Sequence, residues 1–527
     1  MASNRRASSG DRLPLPPSDD AETALPRDAP PDSPADVGST LARRATLGAV
    51  WTISTSVGSR TVGLVGTLLL TKFIAPDVYG EVSLAAVIIQ TAHAVSSCGL
   101  SQYIVSKPHE GRAATFHATF YFTLLGVIAL GLAVLFREPI GALIGAPGMA
   151  RYLPGLAVAG LLERVGTVQD RILVRDMRFR EVGLLRSLGE VAYAIVTVAL
   201  AWAGWGASAV VWGSIVRSTV RLAGLSLFTS RREWLSPSRI TLARTRDLFA
   251  FGLPMSIAAL AGFGSRRWDN LIFSSLFGES AAGLYNLAYN LADIPATQIG
   301  ETIGDVLVPS FAQMESEERR RAALCRSMRL LILIVAPLAL GLGTIAPTLV
   351  HTLFDPRWAE VAPMLTWLSA LSVVRPIAWI GASYLQVKNQ PRAIMLLEIT
   401  KTCGLLAAIA LLGRVGPLWA CAAVGIAFTL GSFGYFWVIR RIDGLTLREQ
   451  ILPLFPPVLA CVPMVLAILA ARRALLVLGG VPGVVSLLIE LFVGALIFIP
   501  SALVLAPSAS RDLLGLLRAA RSRRSEA

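Results

Sequence analysis

Stretches of mainly apolar residues, each long enough to cross a bilayer as a helix, follow one another along this chain with only short connections between them. A spanning helix needs about 20 such residues. The stretches lie near 46–73, 80–106, 114–136, 151–172, 183–204, 206–228, 247–277, 280–309, 327–348, 360–387, 393–412, 415–438, 452–470 and 482–505. The longest internal connections, near 229–246 and 310–326, are too short for a folded soluble domain, so any chemistry resides within the membrane. Several stretches exceed the required length, which predicts tilts or kinks, with Pro254 and Pro295 as candidate kink points. The expected fold class is all-α: a polytopic membrane protein of about fourteen transmembrane helices.

Composition agrees. Of the 527 residues 16% are charged, against about 25% in a soluble protein. That deficit leaves too little polar surface to face water. The net charge of +14 would suggest nucleic acid in a soluble protein. Here the basic residues sit in the connections, where they bind anionic lipid headgroups and fix orientation, so nucleic acid is not an expected partner.

Lys and Arg alternate in density from one connection to the next. Segments near 171–186, 231–246, 319–329 and 511–524 are rich in arginine, whereas the opposite set holds only Lys72, Arg137, Arg151, Arg357, Arg414, Arg472 and Arg473. This predicts an even number of spans with both termini cytoplasmic. Residues 1–40, rich in Pro, Ser, Asp and Ala, read as a disordered cytoplasmic tail. Arg511 to Arg524, with Leu513, Leu514, Leu516 and Leu517, read as an amphipathic segment on the inner leaflet. The five cysteines are scattered without a CxxC, so no disulfide framework, metal site or cofactor is expected.

An internal repeat organises the spans. The run Phe73–Ala85 matches Leu276–Ala288 at an offset of 203, which aligns Gly80 with Gly283 and Leu84-Ala85 with Leu287-Ala288. Leu143 and Pro154 sit like Leu353 and Pro363, and Glu190 like Glu398. Both copies start on the cytoplasmic side, so the repeat is parallel about an axis along the membrane normal. The expected organisation is a tail (1–40), a six-helix bundle (41–229), a basic linker (230–246), a second six-helix bundle (247–439), two additional transmembrane helices (440–505) and a basic amphipathic tail (506–527).

Two runs carry a family resemblance. One is Leu173 to Arg180, followed by a helix and then Ala203-Gly204-Trp205-Gly206-Ala207. The other is Asp269-Asn270-Leu271-Ile272-Phe273 through Gly283-Leu284-Tyr285-Asn286-Leu287-Ala288. Together with Phe73 to Gly80 and Cys98-Gly99-Leu100, they resemble bacterial lipopolysaccharide and exopolysaccharide exporters of the colanic-acid exporter type. That group belongs to the multidrug/oligosaccharidyl-lipid/polysaccharide exporter superfamily, and the resemblance covers about residues 41–450. It implies two pseudo-symmetric bundles and a flippase for polyprenyl-pyrophosphate-linked oligosaccharide in the cell inner membrane. It also implies a polysaccharide polymerase and a chain-length regulator as partners. A lipid II flippase and a cation-coupled multidrug antiporter are the alternatives within the superfamily.

Charged groups inside a membrane usually face a cavity or a partner. Arg60 lies about 14 residues, or about 21 Å, into the first span. Arg266 and Arg267 lie in the seventh, Arg375 in the tenth and Arg164 in the fourth. An arginine fork suits a pyrophosphate because it donates in parallel and stays ionised. The expected substrate-binding set is therefore Arg60, Arg266, Arg267, Arg375 and Arg164. Asp269, Glu301 and Asp305 are the candidates for ion coupling, the last two being one helical turn apart. Trp358 and Tyr79 read as interface anchors. A membrane enzyme is disfavoured, since no DxD, HExxH, GxSxG or Walker A pattern occurs.

Overall fold

A computed structural model describes residue 58 and residues 62–63, 65–106, 111–176, 178–312, 314 and 316–525. The expected tail 1–40 and most of the first span lie outside the described residues. Residues 65–70 are helical (α1). After them come α2 (Pro76–Ser97), α3 (Leu100–Ser106), α4 (Gly111–Leu135), α5 (Leu153–Arg175), α6 (Phe179–Trp202) and α7 (Ser208–Phe228). The later part comprises α8 (Leu242–Ala312), α9 (Glu317–Leu353), α10 (Val361–Leu371), α11 (Ile377–Val387), α12 (Pro391–Leu412) and α13 (Pro417–Asp443). It ends with α14 (Cys461–Leu478), α15 (Gly483–Leu505) and α16 (Pro507–Ser525). Short helical turns fill several connections, and no strand occurs among the described residues.

The chain is an all-α, multi-pass membrane protein. Nine helical stretches among the described residues are long and apolar enough to cross a membrane. The helices α5, α7 and both arms of α8 also lie where the sequence places spans. Leu135, Leu227, Leu476 and Val504 are exposed, which costs nothing against lipid. Helices suit this solvent because every backbone group is satisfied within the segment.

The longest helix, α8, breaks at Gly278 (φ 81°, ψ 179°) into two arms. The backbone stays helical at Pro254 and Pro295, so neither proline makes the break. The region adopted by Gly278 is essentially closed to residues with a Cβ, at a cost of about 1–3 kcal/mol. A Cβ there would meet no atom within 4 Å, so the cost is one of backbone and not of crowding. Gly278→Ala and Gly278→Ser should therefore lower thermal stability in detergent by similar amounts. Unchanged melting of both variants would remove this account of the kink.

The glycines that the repeat aligns lie against each other. A Cβ on Gly80 would fall 1.9 Å from the Glu279 carbonyl oxygen, and one on Gly283 would fall 2.0 Å from that of Pro76. Only glycine permits so close an approach of two backbones. At the other end of α2, a Cβ on Gly252 would fall 2.0 Å from the Cys98 carbonyl oxygen. The helices α2 and α8 thus touch near both ends, and between these contacts the Trp268 indole N–H donates to Thr91 Oγ1 at 3.2 Å.

The end opposite the basic connections is also tied by Trp358. This residue is fully buried, and its indole N–H donates to the Thr71 carbonyl at 2.9 Å. Tyr79 meets its ring edge-on at 5.5 Å. Trp358 is therefore an internal tie and not a lipid-interface anchor, because its one polar atom is already satisfied inside the protein.

At the basic end α16 is clamped to α9. Asp512 pairs with Arg326 at 3.0 Å and also with Arg329. Leu513 and Leu514 of α16 line an apolar cavity beside it.

Candidate substrate cavity

Beside the contact of α2 with α8 lies a cavity of about 710 Å³. It is lined by Gly63 and by Thr67 of α1, Gln90 of α2, Arg186 and Glu190 of α6, and both arms of α8. The first arm contributes Arg266 and Arg267, the second Asn290 and Asp293.

Its charges are arranged unevenly. Glu190 lies 3.7 Å from Arg217, and Asp293 lies 2.5 Å from Arg375. Neither Arg217 nor Arg375 lines the cavity. The two carboxylates are thus offset from behind the wall, while Arg186, Arg266 and Arg267 face inward. Arg267 Nη1 donates to Asn290 Oδ1 at 3.4 Å. Arg186 forms no ion pair within 4 Å among the described residues. A site so built attracts an anion.

The resemblance-bearing run on α8 clasps the kink. Tyr285 Oη donates to Asp269 Oδ2 at 2.6 Å, and Asn286 Nδ2 donates to Asn270 Oδ1 at 2.9 Å. Asn290 Nδ2 donates in turn to Asn286 Oδ1 at 2.8 Å. A continuous chain of hydrogen bonds therefore runs from the buried Asp269 side, through three asparagines, to Arg267 at the cavity. Residues 16 apart meet because Gly278 folds the arms together.

The expected arginines fall in different places. Arg266 and Arg267 line the cavity together. Arg375 stands behind its wall, 7% exposed, at the interruption between α10 and α11. Its guanidinium lies 4.1 Å from the Phe428 ring centroid and donates to Tyr289 Oη. It holds Asp293 and does not face the cavity.

Arg164 does not reach the cavity at all. It is fully buried, donates to the Phe122 carbonyl at 2.6 Å, the Ser96 carbonyl at 2.7 Å and Ser96 Oγ at 2.8 Å, and lies over the Phe122 ring. Gly126 makes room, since a Cβ there would fall 1.9 Å from Arg164 Nε. Backbone carbonyls freed at the end of α2 absorb its donors, which binds α2, α4 and α5 together.

Arg60 lies outside the described residues. So do the side chains of Glu301 and Asp305, although their backbone belongs to α8. Asp269 is buried behind the cavity. Arg186 was absent from the expected set because its nearness to the basic end marked it as an orientation signal. The signal that finds it is spacing: Arg186, Glu190 and Tyr193 share one face of α6, and all three line the cavity.

A second cavity, about 920 Å³ and almost wholly apolar, adjoins the first. It runs between α8, α9, α14, α15 and α16, lined by residues such as Leu338, Leu342, Met464, Phe498 and Leu513. Leu291 and Ile294 line both cavities. The carboxylate in this trough, Glu490, is neutralised by Arg472 through contacts of 3.0 and 2.9 Å and accepts from Thr348 Oγ1 at 2.7 Å. Arg472, expected in a connection, is turned inward to cancel that charge. The two cavities together fit an amphiphile with an anionic head and a long apolar tail.

Residues 69–363, more than half of the chain, match the family described as polysaccharide biosynthesis protein. The chain belongs to that family. Among polysaccharide biosynthesis proteins it is similar to the succinoglycan biosynthesis transport protein ExoT of Rhizobium meliloti, with 28% identity over 497 residues, 92% of this chain and 98% of that one. It is 24% identical over 428 residues to the lipopolysaccharide biosynthesis protein WzxC of Escherichia coli, covering 80% of this chain and 86% of the relative. The fold is that of the lipid II flippase MurJ in an inward closed conformation, with a TM-score of 0.72 at 12% identity over 88% of this chain and all of that one. A multidrug transporter of the MATE family in an inward-facing conformation shares it at a TM-score of 0.57 and 15% identity, over 75% of this chain and 98% of that one.

Proposed function

We propose that this chain is a flippase that moves a polyprenyl-pyrophosphate-linked oligosaccharide across the inner membrane by alternating access, for lipopolysaccharide or exopolysaccharide synthesis. The observation that carries this reading is the junction at Leu291 and Ile294, where a cavity faced by arginines opens beside an apolar trough. Arg186, Arg266 and Arg267 hold the pyrophosphate, and the trough takes the polyprenyl chain. Arg60, an arginine at membrane depth by the sequence pattern, remains a candidate for the same anion site. The names of ExoT and WzxC favour a polymer precursor over lipid II. An arginine-faced cavity disfavours a multidrug antiporter, and relatives that transport favour a carrier over an enzyme.

In this reading the bundles 41–229 and 247–439 move against each other, with both termini cytoplasmic. Asp269, Glu301 and Asp305 remain the coupling candidates. The basic connections hold anionic lipids, and a polymerase and chain-length regulator act on the delivered repeat unit.

Deleting the gene in a polymer-producing strain tests the assignment. Surface polymer should disappear, lipid-linked oligosaccharide should accumulate on the inner leaflet, and peptidoglycan synthesis should continue. Normal polymer output, or a cell-wall defect with polymer intact, would overturn it.

A further inference from the structure

The end of the helices opposite the basic connections carries two carboxyl groups that the substrate site does not use. Glu81 lies in the second turn of α2, and Glu279 follows the Gly278 break in α8. Both converge on Gly148, in the turn Pro147–Arg151 that precedes α5. The Gly148 N–H donates to Glu279 Oε1 at 2.7 Å. The space where Gly148 lacks a side chain is filled by Glu81, since a Cβ there would fall 2.1 Å from Glu81 Oε1. Both carboxyl groups therefore lie against the same residue, Gly148. All this adjoins the Gly80–Gly283 contact, where the two repeats touch.

The pair is asymmetric. Arg151 forms an ion pair with Glu81. Tyr152 also faces Glu81 and Arg151. Among the described residues the charged groups facing Glu279 are therefore Glu81 from α2 and Arg151 from the Pro147–Arg151 turn, with Tyr152 beyond them. Glu279 has the Gly148 N–H as its donor and, among the described residues, no cation within ion-pair distance. Burial raises its pKa above the ordinary carboxyl value, and the nearby Glu81 adds to the rise against the opposing Gly148 N–H.

We propose that Glu81 and Glu279 form a proton-binding gate that holds the first repeat to the second while Glu279 carries a proton. Protonated, Glu279 donates a hydrogen bond to the Glu81 carboxylate and closes this end of the cavity. When the proton returns to the aqueous phase, two like charges face each other in a half-buried site and repel. The α2–α8 contact then opens. The gate takes a proton from the side on which the proposed orientation places the outer solution. It rests on the carrier reading only for its use in transport; the proton site stands on its own geometry.

The test uses a cysteine-free background with Thr67→Cys as a reporter inside the cavity, in right-side-out vesicles. A membrane-impermeant thiol reagent is applied from outside across a range of pH. Rates are divided by those of the same protein carrying Glu279→Gln, which keeps the hydrogen bond without the charge and cancels the reagent's own pH dependence. The ratio should be near one in acid and rise at least about tenfold toward mildly alkaline pH.

Glu81→Gln should match Glu279→Gln and replaces it as the reference if that variant folds poorly. Gly148→Ala, which forces the carboxyl pair apart, should label fast even in acid. A ratio that stays flat with pH, or Gly148→Ala labelling as slowly as the parent in acid, would overturn the gate. Because no substrate enters the measurement, a wrong substrate assignment leaves the result readable.

Discussion

Combining Arg186→Ala with Arg267→Ala is expected to lower polymer export at least about a hundredfold at unchanged protein abundance. Neither side chain has a partner that would be stranded by its loss. Arg186 forms no ion pair among the described residues, and the contact of Arg267 with Asn290 is long, at 3.4 Å. The cost therefore falls on the bound anion and not on folding. A hydrogen bond to a charged group contributes about 1.5–3 kcal/mol. Two such losses amount to about 3–6 kcal/mol, or two to four decades at about 1.36 kcal/mol per decade. Arg267→Lys should fall between, because lysine keeps the charge and loses the planar fork. Surface polymer per copy of membrane-extracted protein is the readout. Output within about threefold of the parent for the double variant would remove these arginines from the site, since even one such bond corresponds to about tenfold.

How far the sequence reveals this arrangement depends on the kind of signal. Spans are legible because the bilayer imposes a length, and the break near 277–280 shows as a gap between two apolar runs. Arg266 and Arg267 are legible because a charge at membrane depth must face a cavity or a partner. The same rule does not choose between those outcomes. Arg164 finds its partners in Ser96 and Phe122, far off in sequence, and nothing local to residue 164 announces them. Arg375 meets Asp293 from another helix in the same way. Arg186 illustrates the opposite failure: a residue near the basic end satisfies the orientation rule, which conceals a second role. The Gly80–Gly283 contact was half visible, since the repeat aligned the two glycines without indicating that they touch.

Arg375 separates two mechanisms that the sequence leaves together. As a pyrophosphate ligand, its loss would impair export while leaving the protein intact. In the structure it instead supports Asp293 from behind, so Arg375→Ala strands a carboxylate that is only 20% exposed at the cavity wall. Breaking such a pair from one side costs about 3–5 kcal/mol, a large part of the stability of a typical domain. The expected result is a sharp fall in abundance and melting temperature, with export falling in proportion. Adding Asp293→Asn removes the stranded charge, so Arg375→Ala with Asp293→Asn should recover most of the abundance and most of the export per copy. If abundance recovers and export does not, Arg375 touches the substrate directly, and the anion site extends through the wall to α11. If the double variant is no more stable than Arg375→Ala, the ion pair is not what holds this wall, and the ring contacts of Arg375 with Phe428 and Tyr289 carry it instead.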